Sequence, residues 1–467
     1  MTGRRKAVLV TAVATILLLV AAACGDDDTE ATPTTTSVED SASSTSTDQT
    51  DDDTTTSEAA DTSTTTEPVE LTDSFRGVTA DTILVGFTTV DFARLNQNFG
   101  LELTFADGVP AMEAVVADLN ERGGILGRRI ELVSRRFVPV GPVEVEAICV
   151  ELTEDLGVFA VLGGFAGPGA EDVNDCITDT HETIIVGGTP TPQQLARARA
   201  PWISNTMERE RRARGLVAVL EAEGRLAELG VIGILASTPN DAGVVDAARD
   251  AFTAAGTEVA FDAIVSTTGD ETATRGEVDV FFERGRAEGV DTFLFIGDDA
   301  YANEQLIARS GDTNLLWLYS DSVQGWNTDP PPGLDDVPLL LATGSGEGSR
   351  DDPAWGNCIE LVDAAYDTEI RPPHELAVGE TNHWSALSTA CLNVRLFEQV
   401  ATAAGADLTN ESFATAAAAL GAYELPGSPF ASLGPGKPDG LDTVRLTTWD
   451  HGAGQWTPVS DPFDVTG

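Results

Sequence analysis

Ala114-Val115-Val116-Ala117-Asp118-Leu119-Asn120-Glu121-Arg122-Gly123-Gly124-Ile125-Leu126-Gly127-Arg128-Arg129-Ile130 is the stretch whose reading decides the fold. Val115, Val116 and Leu119 recur at helical spacing and define one apolar face. The helix ends on a glycine pair able to take positive φ, where any other side chain would be strained. Ile130-Glu131-Leu132-Val133 then reads as a strand, so the whole segment is helix, turn and strand.

The same rhythm extends on both sides. Upstream, Ile83-Leu84-Val85-Gly86-Phe87 is the first strand, and the helix runs over 111–122. Downstream, a helix is expected over 144–155, a strand over 158–162, a helix over 170–180 and a strand over 183–186. A second series starts near Arg209 with a helix, followed by strands at 229–235, 258–265, 292–296 and 315–319 and helices at 243–255, 278–288 and 302–310. Beyond Pro330-Pro331-Pro332 the pattern is helical over 353–366, 382–405 and 412–420, and the tail offers strands near 443–448 and 456–459. Alternation of short β-rich runs with helices predicts an α/β protein with two Rossmann-like lobes. About 400 residues of folded chain suit two lobes better than one.

The segment 114–130 closely resembles the signature of type I periplasmic binding proteins, and specifically the Leu/Ile/Val-binding family of ABC-importer receptors. The resemblance covers about 81–450. Glu151-Leu152 to Leu162-Gly163-Gly164 is similar to the family's helix, strand and first binding loop, and Ile185-Val186-Gly187-Gly188-Thr189-Pro190-Thr191-Pro192 to its second. Asn240-Asp241-Ala242-Gly243 stands where the family has a tyrosine–glycine turn, and His383-Trp384-Ser385-Ala386 resembles its tyrosine–aspartate–alanine helix. The resemblance implies two lobes with parallel-type sheets, joined by three crossovers, with a ligand cleft between them at the carboxyl ends of the strands. It divides the body into 76–206 and 344–425 for the first lobe, and 207–343 with the tail 426–467 for the second.

In such proteins backbone N–H groups and hydroxyls hold an anionic group, and acidic side chains of the facing lobe hold an ammonium. Here the first loop reads Phe165-Ala166-Gly167-Pro168-Gly169 and lacks the serine of amino-acid binders. Thr189 and Thr191 keep hydroxyls in the second loop, and Asn240, Asp298, Asp299 and Asp321 fall just after strands of the second lobe. A loop aspartate also serves as a helix cap or a solvated charge. Phe99, Phe165 and Trp384 are candidate pocket walls, with the core as the alternative. The ligand implied is a small polar molecule, an amino acid, amide or amine, with a cationic amine favoured over a simple branched-chain amino acid.

The N-terminus is read separately. Arg4-Arg5-Lys6 precedes an apolar run at 7–23, and Val20-Ala21-Ala22-Ala23-Cys24-Gly25 resembles a bacterial lipobox, so 1–23 is expected to be a signal peptide and Cys24 a lipidated N-terminus. A transmembrane anchor is the alternative. Residues 24–75 form an acidic Thr/Ser-rich tether, without Lys or Arg over 25–74, and such composition cannot offset chain entropy by burial. Its threonines are solvated or O-glycosylated. Four cysteines remain, Cys149, Cys176, Cys358 and Cys391, which in an exported chain suggest two disulfides. Pairing of 149 with 176 and of 358 with 391 is the simplest of three connectivities, and free buried thiols are the alternative. A zinc site is disfavoured because there is no CxxC and His181, His374, His383 and His451 are scattered.

The formal charge of −49 is shared by tether and body, and the only lysines are Lys6 and Lys437, which argues against nucleic acid as a partner. Arg209-Arg211-Arg212-Arg214 reads as one solvated helix face. Enzyme motifs are missing: no GxSxG, no HExxH, no GKS or GKT phosphate loop and no GxGxxG after a strand. No cofactor or metal is implied. The expectation is a monomeric extracytoplasmic lipoprotein that delivers its ligand to an ABC transporter permease. The alternatives are a sensing or scaffold lipoprotein of the same fold and, less favoured, an enzyme using acidic pairs such as Asp298-Asp299.

Overall fold

The computed structural model describes residues 71–466, except 168, 266–270, 298–299, 320–332, 345–348 and 378. Segment 1–23, Cys24, the tether up to residue 70, Asp298, Asp299, Asp321 and Pro330 to Pro332 therefore lie outside the described residues.

Five strands, β1 (Thr82–Val90), β2 (Arg129–Phe137), β3 (Ala160–Leu162), β4 (Ile184–Val186) and β5 (Trp202–Ile203), form the first sheet in the order β2-β1-β3-β4-β5. All neighbours are parallel, so every carboxyl end lies along one edge. Side chains alternate between faces: Ile83, Val85, Phe87, Ile184 and Val186 enter one core, while Val161 and Ile185 enter the core on the opposite face.

Helix α1 (Phe92–Phe99) follows β1, and α2 (Val109–Glu121) buries Met112, Val115, Val116 and Leu119 against the first sheet. The turn after α2 depends on glycine, since a Cβ on Gly124 (φ +65°) would stand 1.9 Å from the Arg128 carbonyl oxygen. Asn120 then clamps the helix to β2, with its Nδ2 donating to the Ile130 carbonyl at 2.9 Å and its Oδ1 accepting from the Ile130 N–H at 2.7 Å. Helix α3 (Val143–Val150) passes directly into a π-helical turn, Glu151–Asp155. The helix expected over 170–180 is present as an irregular helix over 171–180, a 3-10 turn, Glu171–Val173, running through residues 174–175 into a π turn, Cys176–Thr180. Between them Asn174 folds back to bond the Phe165 N–H and carbonyl, tying this segment to the β3 loop. Helix α4 (Pro192–Arg197) precedes β5, which the sequence did not suggest because it is two residues long and follows Pro201.

The second sheet holds β6 (Ile232–Ala236), β7 (Val259–Ile264), β8 (Thr292–Ile296), β9 (Asn314–Tyr319) and β10 (Leu340–Gly344), again mutually parallel. Helices α5 (Arg209–Ala222) and α6 (Ala242–Ala254) cover one face, where Ile232, Ile234, Leu294 and Leu316 are buried. Helices α7 (Glu271–Glu288) and α8 (Ala300–Ile307) precede β8 and β9, and the opposite face buries Leu235, Phe293, Phe295 and Trp317. The chain then returns to the first sheet through α9 (Cys358–Tyr366), α10 (Trp384–Ala404) and α11 (Asn410–Ala419), whose Val362, Leu387, Phe397 and Phe413 join its core. A two-stranded ribbon, β11 (Gly421–Ala422) with β12 (Ser432–Leu433), leads back to β13 (Thr443–Asp450), which runs antiparallel to β10 and carries β14 (Gln455–Pro458) and β15 (Phe463–Asp464).

Disulfides join Cys149 to Cys176 and Cys358 to Cys391, across sequence separations of 27 and 33. Loops of this length stabilise by about 3 to 4 kcal/mol each in the chain-entropy picture. The first ties α3 to the π turn at 176, and the second ties α9 to α10.

The arginines of α5 do not form a solvated face. Arg212 is buried, Arg209 pairs with Asp241, and Arg211 bonds Asp439 and Asp442; of the four only Arg214 is exposed. At about 100° per residue, positions 209, 211, 212 and 214 spread around the helix, so no single face can carry them all.

Candidate functional site

At the carboxyl edge of the first sheet, the loops after β3 and β4 each open with two glycines of positive φ: Gly163 (+96°), Gly164 (+76°), Gly187 (+114°) and Gly188 (+68°). The arrangement is close-packed. A Cβ on Gly187 would stand 2.7 Å from Asn393 Nδ2 of α10, and one on Gly188 3.1 Å from the Gly163 carbonyl oxygen. Thr88 Oγ1 donates to the Gly164 carbonyl at 2.6 Å, and Trp202 Nε1 to the Gly187 carbonyl at 2.8 Å.

A run of hydroxyls continues from the second loop. Ser204 Oγ donates to the Gly188 carbonyl, Thr206 Oγ1 donates to the same oxygen at 3.1 Å, and the two hydroxyls are 2.9 Å apart. Thr189 Oγ1 lies 3.5 Å from Thr206 Oγ1 at the exposed end of this run. Ser204 and Thr206 belong to the crossover between the sheets and escaped the sequence reading. Their signal was the polar Ser204-Asn205-Thr206 placed directly after the apolar Trp202-Ile203.

Other candidates occupy different environments. Thr191 is the N-cap of α4, its hydroxyl engaged with the Gln194 N–H at 3.2 Å and the Gln194 Oε1 at 3.2 Å in a capping box. Phe165 is 3% exposed and meets Phe137 edge-on at 5.3 Å, while Ala166 is exposed beside it and Gly167 packs against Pro139. Trp384 is 8% exposed and meets Trp355 edge-on at 5.4 Å, so both aromatics sit in the core. Phe99, the last residue of α1, is 37% exposed. Ala166, Gly167, Thr189 and Thr191 thus share the edge of the first sheet, and Asn240 stands exposed after β6 on the edge of the second.

Beneath Asn240 lies a charge pair. Asp241 is 2% exposed; its Oδ2 accepts from the Thr238 N–H at 3.3 Å and Thr238 Oγ1 at 3.2 Å, and its Oδ1 accepts from Arg209 Nη1. A Cβ on Gly297, just past β8, would meet Ser237 Oγ and approach Asp241 Oδ2 to 3.1 Å, so the loops after β6 and β8 touch here.

The crossovers are held by a second charge cluster. Arg211 Nε donates to Asp439 Oδ2 at 2.7 Å and its Nη1 to Asp442 Oδ1 at 2.9 Å. Lys437 Nζ lies 2.9 Å from Asp442 Oδ1. Backbone bonds complete the tie, from Ser204 N to the Pro438 carbonyl at 3.0 Å and from Gly440 N to the Ser204 carbonyl at 2.7 Å. At the cap of α5, burial raises the Glu208 carboxyl above its ordinary pKa, with Glu210 and Asp439 adding to the effect.

Cys149, Cys176 and His181 approach one another closely, with candidate ligand atoms all within 4.8 Å. Both sulfurs are consumed in the disulfide, so neither offers the thiolate that a metal would need.

The family model described as periplasmic binding protein matches residues 101–453. No curated protein matches the chain. Among solved structures, the chain is similar to an ABC transporter substrate-binding protein from Desulfitobacterium hafniense in complex with Leu, at 16% identity and TM-score 0.57, over 81% of this chain and 100% of that one. It is also similar to a fatty acid ABC transporter substrate-binding protein from Thermomonospora curvata, at 17% identity and TM-score 0.56, over 83% and 94%. A third is a solute-binding protein of an ABC transporter from Rhodopseudomonas palustris HaA2 in complex with p-hydroxybenzoic acid, at 15% identity and TM-score 0.57, over 82% and 98%. At these identities the likeness is one of fold.

Proposed function

The chain belongs to the periplasmic binding protein family, and from that premise we propose that it is an extracytoplasmic solute-binding lipoprotein, anchored through Cys24, that captures a small polar ligand and hands it to an ABC importer. The observation that carries the reading is the pairing of a parallel sheet with a mainly parallel one, whose loop-bearing carboxyl edges are linked by the 204–208 crossover. Parallel α/β sheets present ligand sites along that edge. On this reading the lobes divide at about 206, 343 and 425, the protein works as a monomer, and its membrane partner is the permease.

The ligand contacts proposed are Ala166, Gly167, Thr189, Thr191, Asn240 and, from outside the described residues, Asp298, Asp299 and Asp321. Phe99, Phe165 and Trp384 shape the walls, the last two through the packing behind them. The absence of a first-loop hydroxyl at Phe165-Ala166-Gly167 and the acidic residues of the second lobe favour a ligand with an amine, as in an amino acid, amide or polyamine. The named ligands of the similar structures, Leu and p-hydroxybenzoic acid, widen the panel to organic acids.

A thermal-shift screen over amino acids, amides, polyamines, aromatic acids and fatty acids tests the reading. A ligand at 100 times its dissociation constant adds about 2.7 kcal/mol, readily seen as a rise in Tm. Stabilisation by one chemical class without turnover is the expected result. No stabilisation across the panel, or conversion of a compound to product, overturns it.

A further inference from the structure

Arg209 is the first residue of α5, three positions beyond Thr206 in the crossover. Its guanidinium is fixed at the carboxyl edge of the second sheet, because Asp241, the partner of its Nη1, belongs to the loop that follows β6. Thr206 meanwhile reaches the loop after β4, through the Gly188 carbonyl at 3.1 Å and Thr189 Oγ1 at 3.5 Å. One short segment of chain therefore sets a hydroxyl pair on the edge of one sheet and a guanidinium on the edge of the other.

The guanidinium is held but not used up. Among the described residues Asp241 is its one partner, and Nε and Nη2 have none, while the side chain keeps 29% of its exposure. Asp241 is in the opposite condition: it is almost fully buried, and its oxygens are occupied by Arg209, Ser237 and Thr238. An arginine anchored by one nitrogen presents its remaining donors in a fixed planar fork, which suits the two oxygens of a carboxylate. Helices α5 and α6, of 14 and 13 residues, both begin here, so the positive ends of two helix dipoles add to the guanidinium.

We propose that Arg209 is the specificity-determining residue for a carboxylate on the ligand, doing from the second lobe what the loop at Phe165-Ala166-Gly167, without a hydroxyl, does not do from the first. The assignment rests on the solute-binding reading above. Within the ligand class proposed above it selects amino acids and organic acids, and it removes the amides and polyamines, which carry no carboxylate.

The test uses matched pairs that differ only at the carboxylate: leucine and leucinamide, 4-hydroxybenzoate and 4-hydroxybenzamide, octanoate and octanamide. Binding to the mature full-length chain is measured by calorimetry and thermal shift for wild type, Arg209→Gln, and the double variant Arg209→Gln/Asp241→Asn. The double variant leaves no buried charge unpaired and so guards against loss of folding. The expected result is that an acid binds and its amide binds at least about tenfold more weakly, and that both variants lose about tenfold or more on the acid alone. Equal binding of acid and amide, or unchanged acid affinity in the folded variants, overturns the role of Arg209 while solute binding stands. If wild type binds none of these pairs but is stabilised by an uncharged or purely cationic compound in the wider screen, the carboxylate assignment falls alone. Silence across both panels removes the solute-binding reading and the assignment with it.

Discussion

At the edge of the first sheet the loops meet through glycine backbone and hydroxyls, whereas at the crossovers and the edge of the second sheet the contacts are buried charges. Gly163, Gly164, Gly187 and Gly188 let backbone approach backbone, and Ser204 and Thr206 satisfy the Gly188 carbonyl. On the other side Arg211, Lys437, Asp439 and Asp442 form one cluster and Arg209 with Asp241 a second. The two constructions should fail differently. Removing a hydroxyl costs only neutral hydrogen bonds, but removing one charge strands its partners in a low-dielectric setting.

The largest effect is therefore expected at Arg211. Arg211→Ala leaves Asp439 and Asp442 buried, with Lys437 to compensate only Asp442, and should cost about 3 to 5 kcal/mol in denaturant unfolding. A loss below about 1 kcal/mol would show that the cluster is solvated and the contrast between the regions false.

Next is Gly187→Ala, which probes the first edge. Its Cβ would meet Asn393 Nδ2 at 2.7 Å from a residue with φ +114°. Strain of this kind costs about 1 to 3 kcal/mol. Ser204→Ala should be milder than Arg211→Ala, about 1 to 2 kcal/mol, because Thr206 still donates to the Gly188 carbonyl while the Thr206 N–H loses Ser204 Oγ, its acceptor at 3.1 Å. If Ser204→Ala cost as much as Arg211→Ala, the hydroxyl run would be as unforgiving as the charge cluster.

The smallest effect has a pH signature. Burial raises the folded-state pKa of Glu208, so the native protein holds that proton more tightly than the unfolded chain does. Its contribution to stability accordingly falls as pH rises from the ordinary carboxylate value through the raised one. Glu208→Gln cannot ionise and should raise Tm slightly at pH 7, with the gain vanishing below the ordinary carboxylate value. A gain that persisted at acid pH would point to a cause other than ionisation.

Local patterns were the legible ones. Helix α2, the glycine turn and β2 lie within thirty residues of each other, so periodicity and glycine placement suffice to read them. Thr191 was read only as a binding-loop hydroxyl, although Thr191-Pro192-Gln193-Gln194 has the spacing of the capping box that the structure shows. The crossover cluster was not legible. Arg211 meets Asp439 and Asp442 across sequence separations of 228 and 231, and four arginines in six residues look solvated until their partners are known. For the same reason Arg209 reads from sequence as surface charge, and only its placement opposite Asp241 gives it a direction. Phe165 and Trp384 were ambiguous because an aromatic beside a loop fits a core as well as a pocket wall, and tertiary packing decides between them.

Hydrogen–deuterium exchange of the mature full-length chain, with and without a saturating ligand from the screen, tests the cleft most directly. Joint protection of 163–167, 187–191, 204–206 and 237–241 is predicted, because a ligand between the lobes must order both edges and the crossover at once. Protection confined to one sheet, or displaced to the outer groove lined by Trp202, Ala417 and Lys437, would contradict a site between the lobes.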